Sequence, residues 1–163
     1  MRGWASAVWH TAIGRFLPEP RRYGSRQCRR AFEAARRAAK LSKHPAIGTD
    51  HLLLGLLEAG DNVARRVLAK MGVDVDGTRR SLQFWLDGAD FGEAPHREPE
   101  LSRRARLVLQ MGLEEATGQG QQTVGTGHLL TALVRDRNKL GSELFHVSVE
   151  GLRTAITREE PER

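Results

Sequence analysis

Cysteine is almost missing from this chain, with Cys28 alone among 163 residues. A single cysteine excludes an internal disulfide framework and fits a reducing cytoplasm, the expected location. No apolar run approaches the roughly 20 residues that a membrane-spanning helix needs, and the start of the chain lacks the apolar stretch of a secretory signal. There is no Gly-x-x-x-x-Gly-Lys-Ser/Thr segment, so no such loop is encoded here to hold a triphosphate and magnesium. No His-x-x-His or cysteine pair offers a metal site, and no Ser/His/Asp set or paired carboxylates stand out for catalysis. No metal, cofactor or turnover is therefore expected. Period-two alternation is absent as well, which excludes paired strands and leaves an all-α fold.

What remains is ordinary in bulk. Hydrophobic content of 39% and charge of 28% fit a globular domain, and the length allows one domain built from two halves. The net charge of +6, carried mainly by arginine, suits nucleic acid, anionic membrane or acidic protein without choosing among them.

The chain says one thing twice. Ile47-Gly48-Thr49-Asp50-His51-Leu52-Leu53 returns as Val124-Gly125-Thr126-Gly127-His128-Leu129-Leu130, 77 residues later. The same offset pairs Ser25-Arg26 with Ser102-Arg103, Ala39 with Ala116 and Val63 with Leu140. One offset shared by separate landmarks indicates two copies of one helical unit.

Helix signals place the copies. Ser25 caps a helix to about Lys43 with Cys28, Phe32, Ala35 and Ala39 on one face, and His44-Pro45 ends it. Thr49 caps the second, whose Leu52, Leu53, Leu56 and Leu57 form a wide apolar face. Val63, Val67, Leu68 and Met71 mark a third helix ending at Gly72; Asp74 or Asp76 caps a fourth that turns Leu82, Trp85 and Leu86 inward. Ser102 restarts the pattern with Ala105, Val108, Leu109, Gly112 and Ala116, and Thr126 caps the sixth helix, burying Leu129, Leu130, Leu133 and Val134. Leu140, Leu144, Phe145 and Val147 mark the seventh, and Leu152 with Ile156 the last. Before the repeats, Trp4, Val8, Trp9, Ile13, Phe16 and Leu17 form an apolar stripe in a basic arm, a flexible segment or an amphipathic helix that touches membrane or a partner.

These motifs resemble the Clp amino-terminal repeat, the double four-helix module at the front of the ClpA, ClpB and ClpC unfoldases, and ClpC in particular. The resemblance runs from about Tyr23 to Ile156. It rests on the doubled Gly-Thr-x-His-Leu-Leu, the serine cap 22 residues before each Ile/Val-Gly-Thr, and the run Val63 to Val73. It implies a pseudo-twofold duplicated four-helix repeat of about eight helices. The expected boundaries are a basic arm at 1–24, a first repeat at 25–86, a linker at 87–100, a second repeat at 101–157 and a charged tail at 158–163.

The implied function is a non-enzymatic protein- or peptide-binding module linked to Clp proteolysis. Its ligands would be substrates, adaptors, cyclic peptides or a Clp ATPase or protease. With no phosphate loop, a freestanding protein acting as adaptor, competitor or decoy of a ClpC-type unfoldase is expected; an amino-terminal fragment of a full Clp ATPase is the alternative. ClpC-type modules bind phosphorylated arginine. An acidic residue after Gly-Thr holds the guanidinium, and the phosphate lies at the start of the first helix, where free N–H groups and the helix dipole attract it.

Carried over, the first repeat offers Ser25, Arg26, Thr49 and Asp50. The second keeps Ser102, Arg103 and Thr126 but has Gly127 where the acid belongs, so one site in the first repeat is expected. Leu101 to Arg106 matches the region that receives cyclic peptides and adaptors, with Leu101 where an aromatic is usual. The bland reading makes Ser25, Ser102 and both threonines helix caps, His51 and His128 structural histidines bonded to nearby backbone, and Cys28 a small core residue. A second functional class is nucleic-acid binding through Arg21, Arg22, Arg26, Arg29, Arg30, Arg36 and Arg37, which at helical spacing also read as solvated faces.

Overall fold

Ser25 opens the first helix as its sequence predicts. Its hydroxyl accepts the Cys28 N–H at 3.0 Å, satisfying one of the donors that a helix start leaves free. The helix, α1 (Arg26–Leu41), turns Cys28, Phe32, Ala35 and Ala39 to the core. The computed structural model describes residues 23–89, 97–136, 146–159 and 162. The arm at 1–22, part of the linker, and Leu140, Leu144 and Phe145 of the expected seventh helix lie outside the described residues.

Seven helices and little else make up the described residues, an all-α architecture. After α1 come α2 (Thr49–Glu58), α3 (Val63–Lys70), α4 (Val75–Asp87), α5 (Arg103–Gly118), α6 (Thr126–Arg135) and α7 (Val149–Ile156). The 77-residue offset is kept to the residue: α1 maps on α5 and α2 on α6, end for end. Even the helix stops correspond. Lys43 and Gly120 both take positive φ (58° and 71°), and each lets the next N–H reach back to Ala39 or Ala116.

Two short parallel contacts differ from the expectation of no strands. β1 (Ala46–Ile47) pairs with β2 (Glu100–Leu101), Ile47 opposite Leu101, and Gly24 bridges Val124. Subtracting or adding 77 turns one contact into the other. Segments of two residues are too short to show any periodicity, which is why no alternation marks them. They matter because each joins one repeat to the other.

One apolar core runs through both repeats. Leu54, Leu56, Leu57 and Leu68 share it with Val108, Leu109, Leu130 and Leu152. Cys28 and its counterpart Ala105 are both fully buried in it. Leu82 and Leu86 of α4 point inward, but Trp85 is 51% exposed, against the expectation, because the i, i+4 pair already fills the inward stripe. Val134 is half-buried at the core's edge. Asp74 caps α4 by accepting the Gly77 N–H at 2.9 Å.

Candidate functional site

The cross-repeat contacts decide which candidate residues meet. The Ser25 N–H donates to the Val124 carbonyl at 2.8 Å, and the Ser102 N–H to the Ile47 carbonyl at 3.0 Å. Val124 and Ile47 immediately precede the two Gly-Thr turns. The start of α1 therefore lies beside Gly125-Thr126-Gly127 of the second repeat, and the start of α5 beside Gly48-Thr49-Asp50 of the first. Sequence reasoning grouped Ser25 and Arg26 with Thr49 and Asp50. The fold instead sets Ser25 and the start of α1 beside the turn that holds Thr126, and Ser102 and the start of α5 beside the turn that holds Thr49.

At the junction beside Thr126 a carboxylate of the chain itself is bound. Glu162 accepts from the Ser25 hydroxyl (2.9 Å), the Thr126 N–H (2.7 Å), the Val63 N–H (2.8 Å) and the Thr126 hydroxyl. Val63 and Thr126 are the first residues of α3 and α6, so the anion faces two helix starts and the cap of a third. Gly125 leaves room for it: a Cβ there would lie 3.1 Å from Glu162 Oε2. Neither Glu162 nor Val63 was singled out as a site residue. The acidic tail was the only signal available, and a charged tail usually reads as solvated.

Gly127 is not an empty groove. A Cβ at this position would stand 3.0 Å from Val63 Cγ1 and 3.1 Å from two Ile156 carbons. The space that an acidic side chain would need is filled by hydrocarbon.

The junction beside Asp50 has a different character. Asp50 sits half-buried in the first turn of α2, and Arg103 is exposed at the first turn of α5. Leu101 is half-buried in β2, while Arg106 is exposed and lies 3.8 Å from Glu100. This junction carries an arginine at a helix start and a carboxylate in the adjoining Gly-Thr turn, so both signs of charge are present at it.

Neither threonine is a helix cap, which corrects the bland reading. Gly48 and Gly125 are the caps, and Thr49 and Thr126 are the first helical residues. One donor at each start is taken by histidine instead: the Gly48 N–H donates to His51 Nδ1 and the Gly125 N–H to His128 Nδ1, each at 2.9 Å. Because Nδ1 accepts, each ring must be neutral with its proton on Nε2. Burial, reinforced by His44, lowers the His51 pKa to about 4; burial also lowers His128. His51 Nε2 meets His44 Nδ1 at 2.8 Å, whereas His128 Nε2 is buried with no partner among the described residues. Both histidines are structural, as expected.

Cys28 is a core residue whose thiol burial pushes up to about 12, so it is no nucleophile. Among the described residues no three His, Cys, Asp or Glu side chains converge for a metal. The arginine run divides. Arg36 lies over the Phe32 ring at 5.5 Å, while Arg26, Arg29, Arg30 and Arg37 line an open cleft of about 1190 Å³ with Arg65 and Arg79. Acidic residues, Asp61 among them, interrupt that lining, unlike the one-signed track that suits a phosphate backbone.

Known proteins match this arrangement. The Clp repeat (R) N-terminal domain family matches residues 24–148. The negative regulator of genetic competence ClpC/MecB of Bacillus subtilis is 28% identical over 104 residues, covering 63% of this chain and 12% of that protein. The chain spans about 12% to 17% of the length of such curated relatives. The N-terminal domain (1–163) of the ClpV1 ATPase from the E. coli EAEC Sci1 type VI secretion system superposes with a TM-score of 0.70 at 24% identity, covering 93% and 90% of the two chains. A ClpV N-domain in complex with a VipB peptide superposes with a TM-score of 0.71 at 21% identity, covering 88% and 90%.

Proposed function

The chain belongs to the Clp repeat N-terminal domain family, and from that premise we propose a recognition module that holds segments of other proteins and performs no chemistry on them. Peptide binding is supported by the ClpV N-domain that carries a VipB peptide on the same fold. The finer reading is that phosphorylated arginine is the mark recognised, at the junction of Ser102 and Arg103 with Thr49 and Asp50. The observation that carries it is the β1–β2 contact, which sets the start of α5 against the one Gly-Thr turn that carries an acid. The helix start and Arg103 would take the phosphate, and Asp50 the guanidinium.

One site results, as the substitution at Gly127 already implied, but it draws on both repeats. In the cell such a module would deliver, compete for or sequester clients of a Clp unfoldase. Titration with phosphoarginine is the test. Saturable binding is expected, weakened about tenfold or more by Asp50→Ala and by Arg103→Ala, since charge-assisted pairs contribute on the order of 1.5–3 kcal/mol each. Absence of binding, or binding indifferent to both substitutions, would remove the reading.

A further inference from the structure

We propose that the junction of Ser25, Val63 and Thr126 is a receptor site for an acidic peptide segment with two carboxylates three residues apart, and that Glu159 and Glu162 occupy it in cis as a tethered competitor. The proposal rests on the recognition-module reading but uses the opposite junction from the phosphoarginine site.

The occupant defines the ligand. Glu162 has four donors, two of them amides at helix starts and two of them hydroxyls of residues almost wholly buried, Ser25 at 1% and Thr126 at 0% exposure. Each hydroxyl already accepts a backbone N–H, from Cys28 and from Ala64 respectively. Its proton is thus left to donate, and it donates to the anion. Three residues earlier Glu159, with only 8% of its side chain exposed, accepts from Arg66 Nε at 3.1 Å and from Lys70 Nζ. Two consecutive carboxylate subsites therefore run along α3, one lined by cations and one by neutral donors.

If Glu162 leaves, two buried hydroxyls and two helix-start amides lose their acceptor, which is costly unless another oxyanion replaces it. The neighbouring cleft extends the offer. Arg26, Arg29, Arg30 and Arg37 line it together with Glu33, Glu58 and Asp61, so further cations lie beside the junction. A tethered copy of the ligand raises the concentration that any free competitor must overcome.

The test is a peptide of residues 157–163, Thr-Arg-Glu-Glu-Pro-Glu-Arg, titrated into the full chain. Binding is read by calorimetry and by the amide resonances of Val63 and Thr126. The Glu159→Gln/Glu162→Gln variant is expected to bind it about tenfold or more tightly than wild type, and Glu162→Gln alone to show a smaller gain. Adding Ser25→Ala should reverse the gain, and a peptide with glutamine at both acidic positions should not bind. Thermal melts verify that each variant is folded. Equal binding by wild type and both variants, or binding that ignores Ser25, overturns the proposal. So does a shift of the Val63 and Thr126 amides by inorganic phosphate but not by the peptide. Phosphoarginine binding sensitive to Asp50 is scored separately, so either reading can fail alone.

Discussion

In the first repeat the tight crossing of α1 and α2 depends on a glycine of α2; in the second the glycine has moved to the other helix. Gly55 packs so closely on α1 that a Cβ would lie 2.1 Å from the Ala31 carbonyl oxygen. Its counterpart is Ala132, fully buried, while Gly112 stands where the first repeat has Ala35. A Cβ on Gly112 would crowd the end of the Leu129 side chain, at 2.9 Å, and meet backbone only at an ordinary 3.7 Å. Close helix approach needs one missing methyl, and either helix can supply it. The junctions follow the same lesson: matched backbone contacts hold both, yet one presents Asp50 while the other is closed by Glu162, Val63 and Ile156. Duplication preserved the frame and released the side chains.

The sharpest break in that comparison is Gly55→Ala. Its Cβ would strike backbone that cannot turn aside, so a loss of about 3 kcal/mol is expected, against about 1 kcal/mol for Gly112→Ala, where a leucine can rotate. Denaturant unfolding of the two variants measures the difference, and equal losses would contradict the packing account.

Next comes Gly127→Glu, which sequence alone recommends as a way to restore a second site. With Val63 and Ile156 in place it should cost roughly 2–3 kcal/mol and leave phosphoarginine binding at one equivalent. A second equivalent in the titration would show that the groove opens.

The histidines separate the repeats by pH. His51 is lowered to about 4, below its usual 6.5, so the unfolded chain binds more protons between these values. Stability from the neutral ring is complete above about pH 6.5 and is lost as the pH falls towards 4. Protonation would set a proton on Nδ1 against the Gly48 N–H. A decline of roughly 1–3 kcal/mol is expected over this window. It should be flatter in His51→Gln than in His128→Gln, because burial of His51 is reinforced by His44 whereas Glu162 and Glu115 act against the lowering at His128. Unfolding midpoints at several pH values between 7 and 4 give the slopes.

The smallest effect lies at the helix stops. Lys43 holds a positive φ that Gly120 adopts without strain. Lys43→Gly should therefore be neutral or stabilising by up to about 1 kcal/mol, whereas Gly120→Lys should lose a similar amount. Thermal midpoints of the pair decide it.

Much of the fold was legible because its signals are local. Ser25, Ser102 and Asp74 cap helices through hydroxyls or carboxylates a few atoms from the N–H they accept, and the apolar stripes of α1 and α5 repeat every three to four residues. The membership in the Clp repeat family followed from motifs of the same local kind. The threonine caps were misread because the neighbouring His51 and His128 take the capping duty through a side chain three residues ahead. Trp85 was misplaced because periodicity marks a stripe without marking its edges.

The candidate site was legible only as a set of parts. Ser25, Arg26, Thr49, Asp50, Ser102, Arg103 and Thr126 are all at the helix starts where the motifs put them. A repeat offset says that position 25 is equivalent to 102 and position 49 to 126. It carries no information on whether equivalents assemble within a repeat or across two. That choice belongs to the docking of the repeats, made by backbone pairs at Ile47–Leu101 and Gly24–Val124. The chain by itself determined its helices, their inward faces and its doubling, because caps and periodicity act over a few residues. Only the tertiary structure set the first Gly-Thr turn beside the start of α5, filled the space beside Gly127, and brought Glu162 across 99 residues to Val63. Contacts at that separation depend on where two packed units come to rest, which no local signal records.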